Sequence, residues 1–198
     1  MRRRRETRRL DRRAFNRPTL RVARDLLGKF IVRRWRGRRF SAMIAETEAY
    51  RGPKDRASHA AGGRRTPRVE PLYGEGGTVY VYFVYGMHWL LNFSTAGAGR
   101  PEGVLIRGIV TGRGKLVAGP GRVTRYLKID KGLDGDDVTD SKRIRIEDRG
   151  VRVPASRVRK GPRIGVHYAG RYWAARPWRF RIDAAPKPRG GRAKRRKA

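Results

Sequence analysis

Residues 78–85 of this chain read Thr-Val-Tyr-Val-Tyr-Phe-Val-Tyr. β-branched and aromatic residues dominate this stretch, a composition that favours a β-strand over a helix. Gly86 interrupts the run, and an apolar segment at residues 89–94 follows it. We therefore expect the two segments to pair as a β-hairpin with its turn at Gly86.

The tyrosines of this strand allow more than one interpretation. Alternation along a strand places Tyr80 and Tyr82 on one face, and Tyr85 lies at the strand end beside the turn. An aromatic stripe usually belongs to a buried core. In a basic domain, however, tyrosines also stack against unpaired bases, and a side chain at a hairpin tip is well placed to wedge between base pairs.

The rest of the chain adds short elements on both sides of this hairpin. A helix that Thr19 caps and Gly28 ends is expected near the N-terminus, and another helix at residues 121–129. Further strands are expected at residues 29–34, 40–50, 104–110, 143–147, 163–167 and 178–182. This pattern predicts an α+β fold, a single mixed domain at residues 14–183 that is rich in β-strands and has few helices.

Charge is the dominant feature of the composition. The 198 residues include 51 Lys and Arg against 17 Asp and Glu, a net charge of +34. Hydrophobic residues at 38 % are below the usual share, but aromatic residues at 9 % are ample to fill a core. Self-repulsion at this charge favours a polyanionic partner, and nucleic acid is the first candidate. An acidic lipid surface is the second, but the chain lacks the amphipathic or lipidated anchor that usually accompanies it.

The two ends of the chain are especially basic. Residues 1–13 carry a net charge of +6 and residues 184–198 carry +7, which leaves +21 on the segment between them. Neither end has the apolar residues to pack a core, so we expect both to be disordered basic arms. They either contact nucleic acid or only increase solubility.

Several function classes are excluded or disfavoured by the sequence. Cysteine is absent, which rules out disulfides and thiolate chemistry, and three histidines do not form a metal cluster. There is no phosphate-binding glycine loop, no nucleophile elbow, no secretory signal and no apolar run of 18 residues. We therefore expect a soluble protein without a membrane partner.

Two of the few acidic residues share a strand. Glu46 and Glu48 are two positions apart and therefore lie on the same face. Two neighbouring carboxylates can bind a metal or divide acid and base roles, and they can equally form ion pairs with nearby arginines.

A set of motifs, in order along the chain, carries a resemblance to a known family. The motifs lie at residues 46–50 (ETEAY), 62–68 (GGRRTPR), 77–87 (GTVYVYFVYGM), 103–107 (GVLIR), 119–122 (GPGR) and 163–166 (RIGV). Together they resemble the alkyladenine (3-methyladenine) DNA glycosylase family over most of residues 15–183. The resemblance implies one domain around a curved, mainly antiparallel sheet, with no metal and no organic cofactor. It also implies a monomer that hydrolyses the glycosidic bond of alkylated or deaminated purines in double-stranded DNA.

The resemblance assigns roles in catalysis and in DNA distortion. Glu48 would activate the attacking water, and Arg107 with a main-chain carbonyl near Val166 would hold that water and the target phosphate. Tyr85 would fill the gap that the extruded nucleotide leaves in the duplex, with Met87 beside it. Glu46 would be structural.

The resemblance also assigns residues that contact the base. Tyr50 and Tyr82 would stack on both faces of the extruded purine, and His59 would hydrogen-bond its edge. Asn92 would crowd the exocyclic amino group of guanine and so spare normal DNA. The sequence departs from the family pattern at His88, at His167-Tyr168 and in the short linker at residues 108–118.

Two other interpretations remain open at this point. One is a non-catalytic basic nucleic-acid-binding protein, which explains the charge but gives no reason for Glu48, His59, Asn92 and Arg107. The other is a relative of the family that binds damage without turnover. The expected location follows the DNA, in the bacterial cytoplasm and nucleoid or in the eukaryotic nucleus.

Overall fold

The computed structural model of the protein describes residues 7–183. The strands are β1 Arg8–Arg9, β2 Phe30–Trp35, β3 Arg38–Tyr50, β4 Val79–Val84, β5 His88–Thr95, β6 Glu102–Thr111, β7 Leu116–Ala118, β8 Ile144–Asp148, β9 Val158–Gly161 and β10 Arg179–Ile182. The helices are α1 Thr19–Asp25, α2 Pro120–Leu127 and α3 Arg171–Ala174. Seven short 3₁₀ helices lie in the connections, at Arg12–Ala14, Gly52–Lys54, Ala61–Gly63, Glu70–Tyr73, Lys131–Leu133, Ala155–Arg157 and His167–Ala169.

The strands form one open sheet in the order β1-β8-β2-β3-β6-β5-β4. β7 extends β6 in a second hairpin, and β10 pairs with both β3 and β9. Every pairing is antiparallel. This arrangement confirms the predicted α+β class with a mainly antiparallel sheet, and it makes the long strand β3 the centre of the fold.

The pairing of β3 with β6 is irregular at its middle. Ile44 lies opposite Ile109 and Glu46 opposite Gly108, so Ala45 is an extra residue in β3. The next pair joins Thr47 to Ile106, which makes Arg107 an extra residue in β6. Bulges of this kind bend strands and re-aim side chains, and here they bring Arg107 to the two glutamates of β3.

The two faces of β3 have different surroundings. The hydroxyl of Thr47 donates a hydrogen bond at 2.8 Å to the carbonyl of Ala23 in α1. Glu48, the next residue, therefore points to the opposite face. On the helix side, apolar side chains of α1, α2 and the central strands build the main core, including Phe15, Ile31, Ile44, Leu91, Phe93, Ile106, Ile109, Leu127 and Ile146.

The N-terminal segment corrects one sequence-based expectation. Residues 7–13 were expected in a disordered arm, but Arg8 and Arg9 pair with β8 as strand β1. The Arg9 guanidinium donates to the carbonyls of Val138 and Ser141, and Arg12 forms an ion pair with Asp137. These arginines stabilise the fold through hydrogen bonds, which composition does not reveal. The rest of the proposed arms, residues 1–6 and 184–198, lies outside the described residues.

Two further expectations were wrong. Thr19 does not cap α1; its hydroxyl is instead 2.8 Å from that of Thr95 and also contacts Glu102, while Pro18 precedes the first turn. Residues 163–167 form a loop rather than a strand. The other expected strands and the helix α2 are confirmed to within two residues. Among residues 7–183, no helix combines the length and hydropathy that crossing a bilayer requires.

Candidate active site

A cavity of about 740 Å³ opens beside the face of β3 that points away from α1. Its walls come from the β4–β5 hairpin, from β6, from the start of α2, and from two loops at residues 57–59 and 164–168. Seven of the residues singled out in the sequence line it, namely Tyr50, His59, Tyr82, Tyr85, Asn92, Arg107 and Val166. The fold therefore gathers into one place residues that are separated by up to 116 positions in the chain.

Glu48 lies behind the wall of this cavity and is fully buried. Its Oε1 accepts a hydrogen bond from the main-chain N–H of Ile164 at 2.9 Å, and its Oε2 accepts one from the Tyr50 hydroxyl at 3.0 Å. Nε of Arg107 is 3.5 Å from Oε1. Burial raises the pKa of Glu48, although Arg107 and the Ile164 N–H oppose that rise. Such a carboxylate is a stronger base than an exposed one.

Glu46 has a different environment from Glu48. Its Oε1 is 2.9 Å from the guanidinium of Arg179 and 3.7 Å from Nε of Arg107. Arg107 thus lies between the two carboxylates, and Glu46 is paired with arginine on both sides. This matches the ion-pair interpretation of Glu46.

Tyr50 is held in place by a buried ion pair. Arg163 and Asp55 are both fully buried and join through two hydrogen bonds, at 2.5 and 2.9 Å. The Arg163 guanidinium lies 4.6 Å from the centre of the Tyr50 ring and 5.0 Å from that of Trp178. Arg163 belongs to one of the sequence motifs, but nothing in the sequence predicted that it meets Asp55.

His59 and the tyrosines of β4 form an aromatic cluster on another wall. Nδ1 of His59 is 2.8 Å from the Tyr80 hydroxyl, and the His59 and Tyr82 rings are 4.5 Å apart. Burial lowers the pKa of His59 to about 4, with Arg68 and Arg64 adding to the effect. His59 is therefore neutral at physiological pH. The shared face of Tyr80 and Tyr82 was expected, but the contact of Tyr80 with His59 was not.

Asn92 is buried in the floor of the cavity. Its side-chain amide donates to the carbonyls of Tyr80 at 3.2 Å and Leu90 at 3.5 Å. These two main-chain acceptors fix the orientation of the side chain. Asn92 therefore forms a rigid part of the cavity surface.

The tip of the β4–β5 hairpin projects from the cavity rim. Tyr85 is 85 % exposed and Met87 is 66 % exposed. Tyr85 and Gly86 both have positive φ, 50° and 63°, which is the geometry of a tight hairpin turn. Under the tip, the rings of Phe83 and Trp89 are 4.6 Å apart. The apolar tip thus rests on a packed aromatic base.

The loop at residues 163–169 supplies contacts that the sequence did not predict. A carbonyl near Val166 was expected to help hold the water and the target phosphate, and this stays a prediction; the Val166 carbonyl accepts a hydrogen bond from Ala169 N at 3.0 Å. The N–H of Ile164 contacts Glu48, which was not expected. Within residues 7–183, no three His, Asp or Glu side chains come together as metal ligands would.

The chain is similar to known proteins over most of its length. The model of the family described as Methylpurine-DNA glycosylase (MPG) matches residues 13–186. A protein of Desulfitobacterium hafniense named "Putative 3-methyladenine DNA glycosylase" is 40 % identical, over 88 % of this chain and 95 % of its own length. Proteins with the same name from Anaeromyxobacter dehalogenans and Methanocella arvoryzae are 44 % and 41 % identical over 87 % of this chain, and over 81 % and 91 % of their own lengths.

Proposed function

The chain belongs to the methylpurine-DNA glycosylase family, and we propose that it excises 3-methyladenine, 7-methylguanine and hypoxanthine from double-stranded DNA. The bond hydrolysed is the N-glycosidic bond, and the product is an abasic site. The observation that carries the proposal is a fully buried carboxylate, Glu48, paired with Arg107 at a cavity lined by tyrosines.

The shape of the site supports extrusion of the target nucleotide. A stacked base hides its glycosidic bond, so an enzyme acting on it must rotate the nucleotide out of the duplex. The exposed ring of Tyr85 and the exposed side chain of Met87 form an apolar wedge at the cavity rim. Such a wedge can occupy the vacated position in the stack and hold the duplex open.

The aromatic lining suits a purine, and a cationic one in particular. Tyr50 and Tyr82 both border the cavity and offer ring faces for stacking. An alkylated purine carries positive charge, which strengthens its attraction to electron-rich rings. Neutral His59 can hydrogen-bond the base edge without repelling that charge. Asn92 can crowd the 2-amino group of guanine, which disfavours neutral guanine more than the readily leaving, cationic 7-methylguanine.

The chemistry that this geometry can perform is attack by water on the anomeric carbon. Glu48 accepts a proton from the water, and its charge stabilises the positive charge that develops on the sugar. Arg107 lies at the cavity wall and beside Glu48, where its charge can hold a phosphate or the water. An alkylated base leaves readily because it already carries a positive charge.

We further propose that the enzyme does not cut the DNA strand. Strand scission of this kind requires an amine that forms a Schiff base with the sugar. The motif segments at residues 44–68 and 77–107 contain one lysine, Lys54, and the described cavity lining does not include it. Borohydride treatment during the reaction should trap no covalent protein–DNA adduct, and a trapped adduct would contradict the proposal.

One experiment separates the proposed function from its alternatives. Duplexes with a single hypoxanthine or a single 3-methyladenine are incubated with the protein, and base release is measured under single-turnover conditions. We expect release from both duplexes and none from the undamaged control. Tight binding without release would indicate a damage-binding relative, and equal binding of all duplexes would indicate a general nucleic-acid-binding protein. We also propose that the protein acts as a monomer in the compartment that contains the DNA, which is the bacterial cytoplasm and nucleoid or the eukaryotic nucleus.

A further inference from the structure

Another exposed tyrosine, Tyr168, lies at the mouth of the cavity and takes no part in the chemistry above. It is 68 % exposed and belongs to the 3₁₀ helix His167–Ala169. It lines the same cavity as Tyr85. Partial burial raises the pKa of Tyr168; Arg163 opposes that rise, while Asp55 and Tyr85 add to it. Tyr85 and Tyr168 therefore border the mouth from two different segments of the chain.

The Tyr168 ring is fixed in this position by its hydroxyl. The hydroxyl donates a hydrogen bond at 3.0 Å to the carbonyl of Ala57, 111 residues away. The N–H of Ala57 in turn donates to Asp55 at 3.1 Å, and Asp55 is held by Arg163. The ring thus spans the gap between two loops of the cavity wall. Because its rotamer is already fixed, it loses little conformational entropy when it binds something.

The position of the ring determines what it can contact. For Glu48 to act, the base must enter the cavity, and the deoxyribose must then remain near the opening. The Tyr168 ring presents an exposed apolar face there. One face of a deoxyribose is made of C–H groups, which pack well against an aromatic ring.

We propose that Tyr168 binds the deoxyribose of the extruded nucleotide and so keeps the nucleotide out of the duplex. The inference rests on the proposed glycosylase function and adds a binding residue to it. The hydroxyl group is not the binding element; it only fixes the ring through Ala57. If Tyr168 had a purely structural role and only connected the two loops, the hydroxyl would be the important group. Tyr168→Phe would then weaken binding as much as Tyr168→Ala.

A duplex with a tetrahydrofuran nucleotide tests this contact, because it has the sugar ring but no base. Removing the ring in Tyr168→Ala should weaken binding of this duplex roughly tenfold, since several tens of Å² of apolar contact are lost. Binding of an undamaged duplex should change less than about twofold, because phosphate contacts dominate there. Tyr168→Phe keeps the ring and loses only the hydroxyl that fixes it, so it should weaken binding of the tetrahydrofuran duplex much less than Tyr168→Ala does.

Two controls define the specificity of the effect. Tyr172, also exposed at 61 %, does not line the cavity, so Tyr172→Ala should leave binding of both duplexes unchanged. Leu116, exposed at 54 % and outside the cavity lining, gives a second control, since Leu116→Ala should also leave binding of both duplexes unchanged. A footprint on the wild-type protein adds independent evidence, with Tyr168 protected from hydroxyl radicals by the tetrahydrofuran duplex but not by the undamaged one.

Several results would overturn the inference. They are equal binding by Tyr168→Ala and the wild type, equal weakening in Tyr168→Phe and Tyr168→Ala, or an unprotected Tyr168 in the footprint. The footprint decides the question if Tyr168→Ala fails to fold. If the wild type releases no base and binds both duplexes alike, the glycosylase proposal itself fails before any Tyr168 variant is compared.

Discussion

The main-chain N–H of Ile164 donates a hydrogen bond at 2.9 Å to Oε1 of Glu48, which lies 116 residues earlier in the chain. This bond joins the central strand β3 to the loop at residues 163–169. It fixes one carboxylate oxygen of Glu48, while Tyr50 fixes the other. The orientation of the proposed general base is thus set by two groups that do not themselves titrate near neutral pH.

Glu48→Gln should lower single-turnover excision by roughly a hundred- to ten-thousand-fold, the range expected for loss of a general base. The substitution keeps the shape but removes the charge. Affinity for a lesion-containing duplex should change little, because stacking and phosphate contacts remain. Glu46→Gln is the matched control, and it should cost much less activity. Near wild-type excision by Glu48→Gln, or a larger loss in Glu46→Gln, would contradict the assignment.

Glu48→Gln should also stabilise the folded protein at pH 7. Burial raises the pKa of Glu48, so the fold prefers the protonated form and loses stability as pH rises through that pKa. The neutral glutamine does not bear this cost. The free energy of unfolding, measured by urea titration, should exceed that of the wild type at pH 7, and the difference should shrink below pH 4.5. A Glu48→Gln variant that is less stable than the wild type at pH 7 would contradict this prediction.

His59 should make the protein sensitive to acid. Its pKa is about 4 in the folded state and 6.5 as the ordinary value, so the unfolded chain binds an extra proton between these values. Stability should therefore fall as pH drops from 6.5 to 4, by up to about 3 kcal/mol. His59→Gln should remove this part of the pH dependence. Identical pH profiles for the two proteins, measured by thermal unfolding, would refute the assignment.

The buried pair of Asp55 and Arg163 should be essential for stability. Arg163→Met leaves an unpaired buried carboxylate, and breaking such a pair costs about 3–5 kcal/mol. Tyr50 also loses the guanidinium that packs on its ring. The exposed pair of Arg65 and Glu70 is the control, and Glu70→Gln should have little effect on urea unfolding. An equal loss in the free energy of unfolding for the two substitutions would contradict the prediction that the buried pair contributes more to stability than the exposed one.

Asn92 should act by exclusion. Two main-chain carbonyls orient its side chain, so that it crowds an additional amino group and disfavours neutral guanine more than cationic 7-methylguanine, which leaves more readily. Asn92→Ser enlarges the cavity and should increase release of guanine derivatives from DNA, with a loss of discrimination against normal guanine. Base release from duplexes that contain 7-methylguanine or unmodified guanine measures the effect. Unchanged guanine release would count against this role.

The predictable part of the fold is the part with an apolar pattern. Strands β2 to β6 alternate or run continuously in apolar residues, and all were expected from the sequence. Strands β1 and β9 were missed because they are rich in Arg and Lys and pair at the edge of the sheet. Their stability comes from main-chain pairing and arginine hydrogen bonds, which leave no periodic signal. Strand β7 was missed because three residues are too few to show an alternating pattern.

The candidate site shows the same division. Tyr80 and Tyr82 were expected to share one face of β4, and Glu46 and Glu48 one face of β3, because alternation along a strand fixes these relations locally. The pairing of Asp55 with Arg163 depends on contacts across 108 residues. Residues 163–167 looked like a strand because the apolar Ile164 and Val166 alternate with residues that are not apolar side chains. Main-chain N–H groups in that loop bind a side chain instead of another strand.

The left-handed backbone of Tyr85 has a consequence for engineering of this protein. Most residues other than glycine and asparagine lose about 1–2 kcal/mol of folding free energy at a φ of 50°. Tyr85 is also almost fully exposed, so little packing offsets this loss. A laboratory screen for heat resistance would therefore favour glycine or asparagine at position 85. The selected variant would tolerate higher temperatures but would have lost the ring that we propose fills the gap left by the extruded base. Thermal tolerance and repair capacity should thus be selected separately at this one turn.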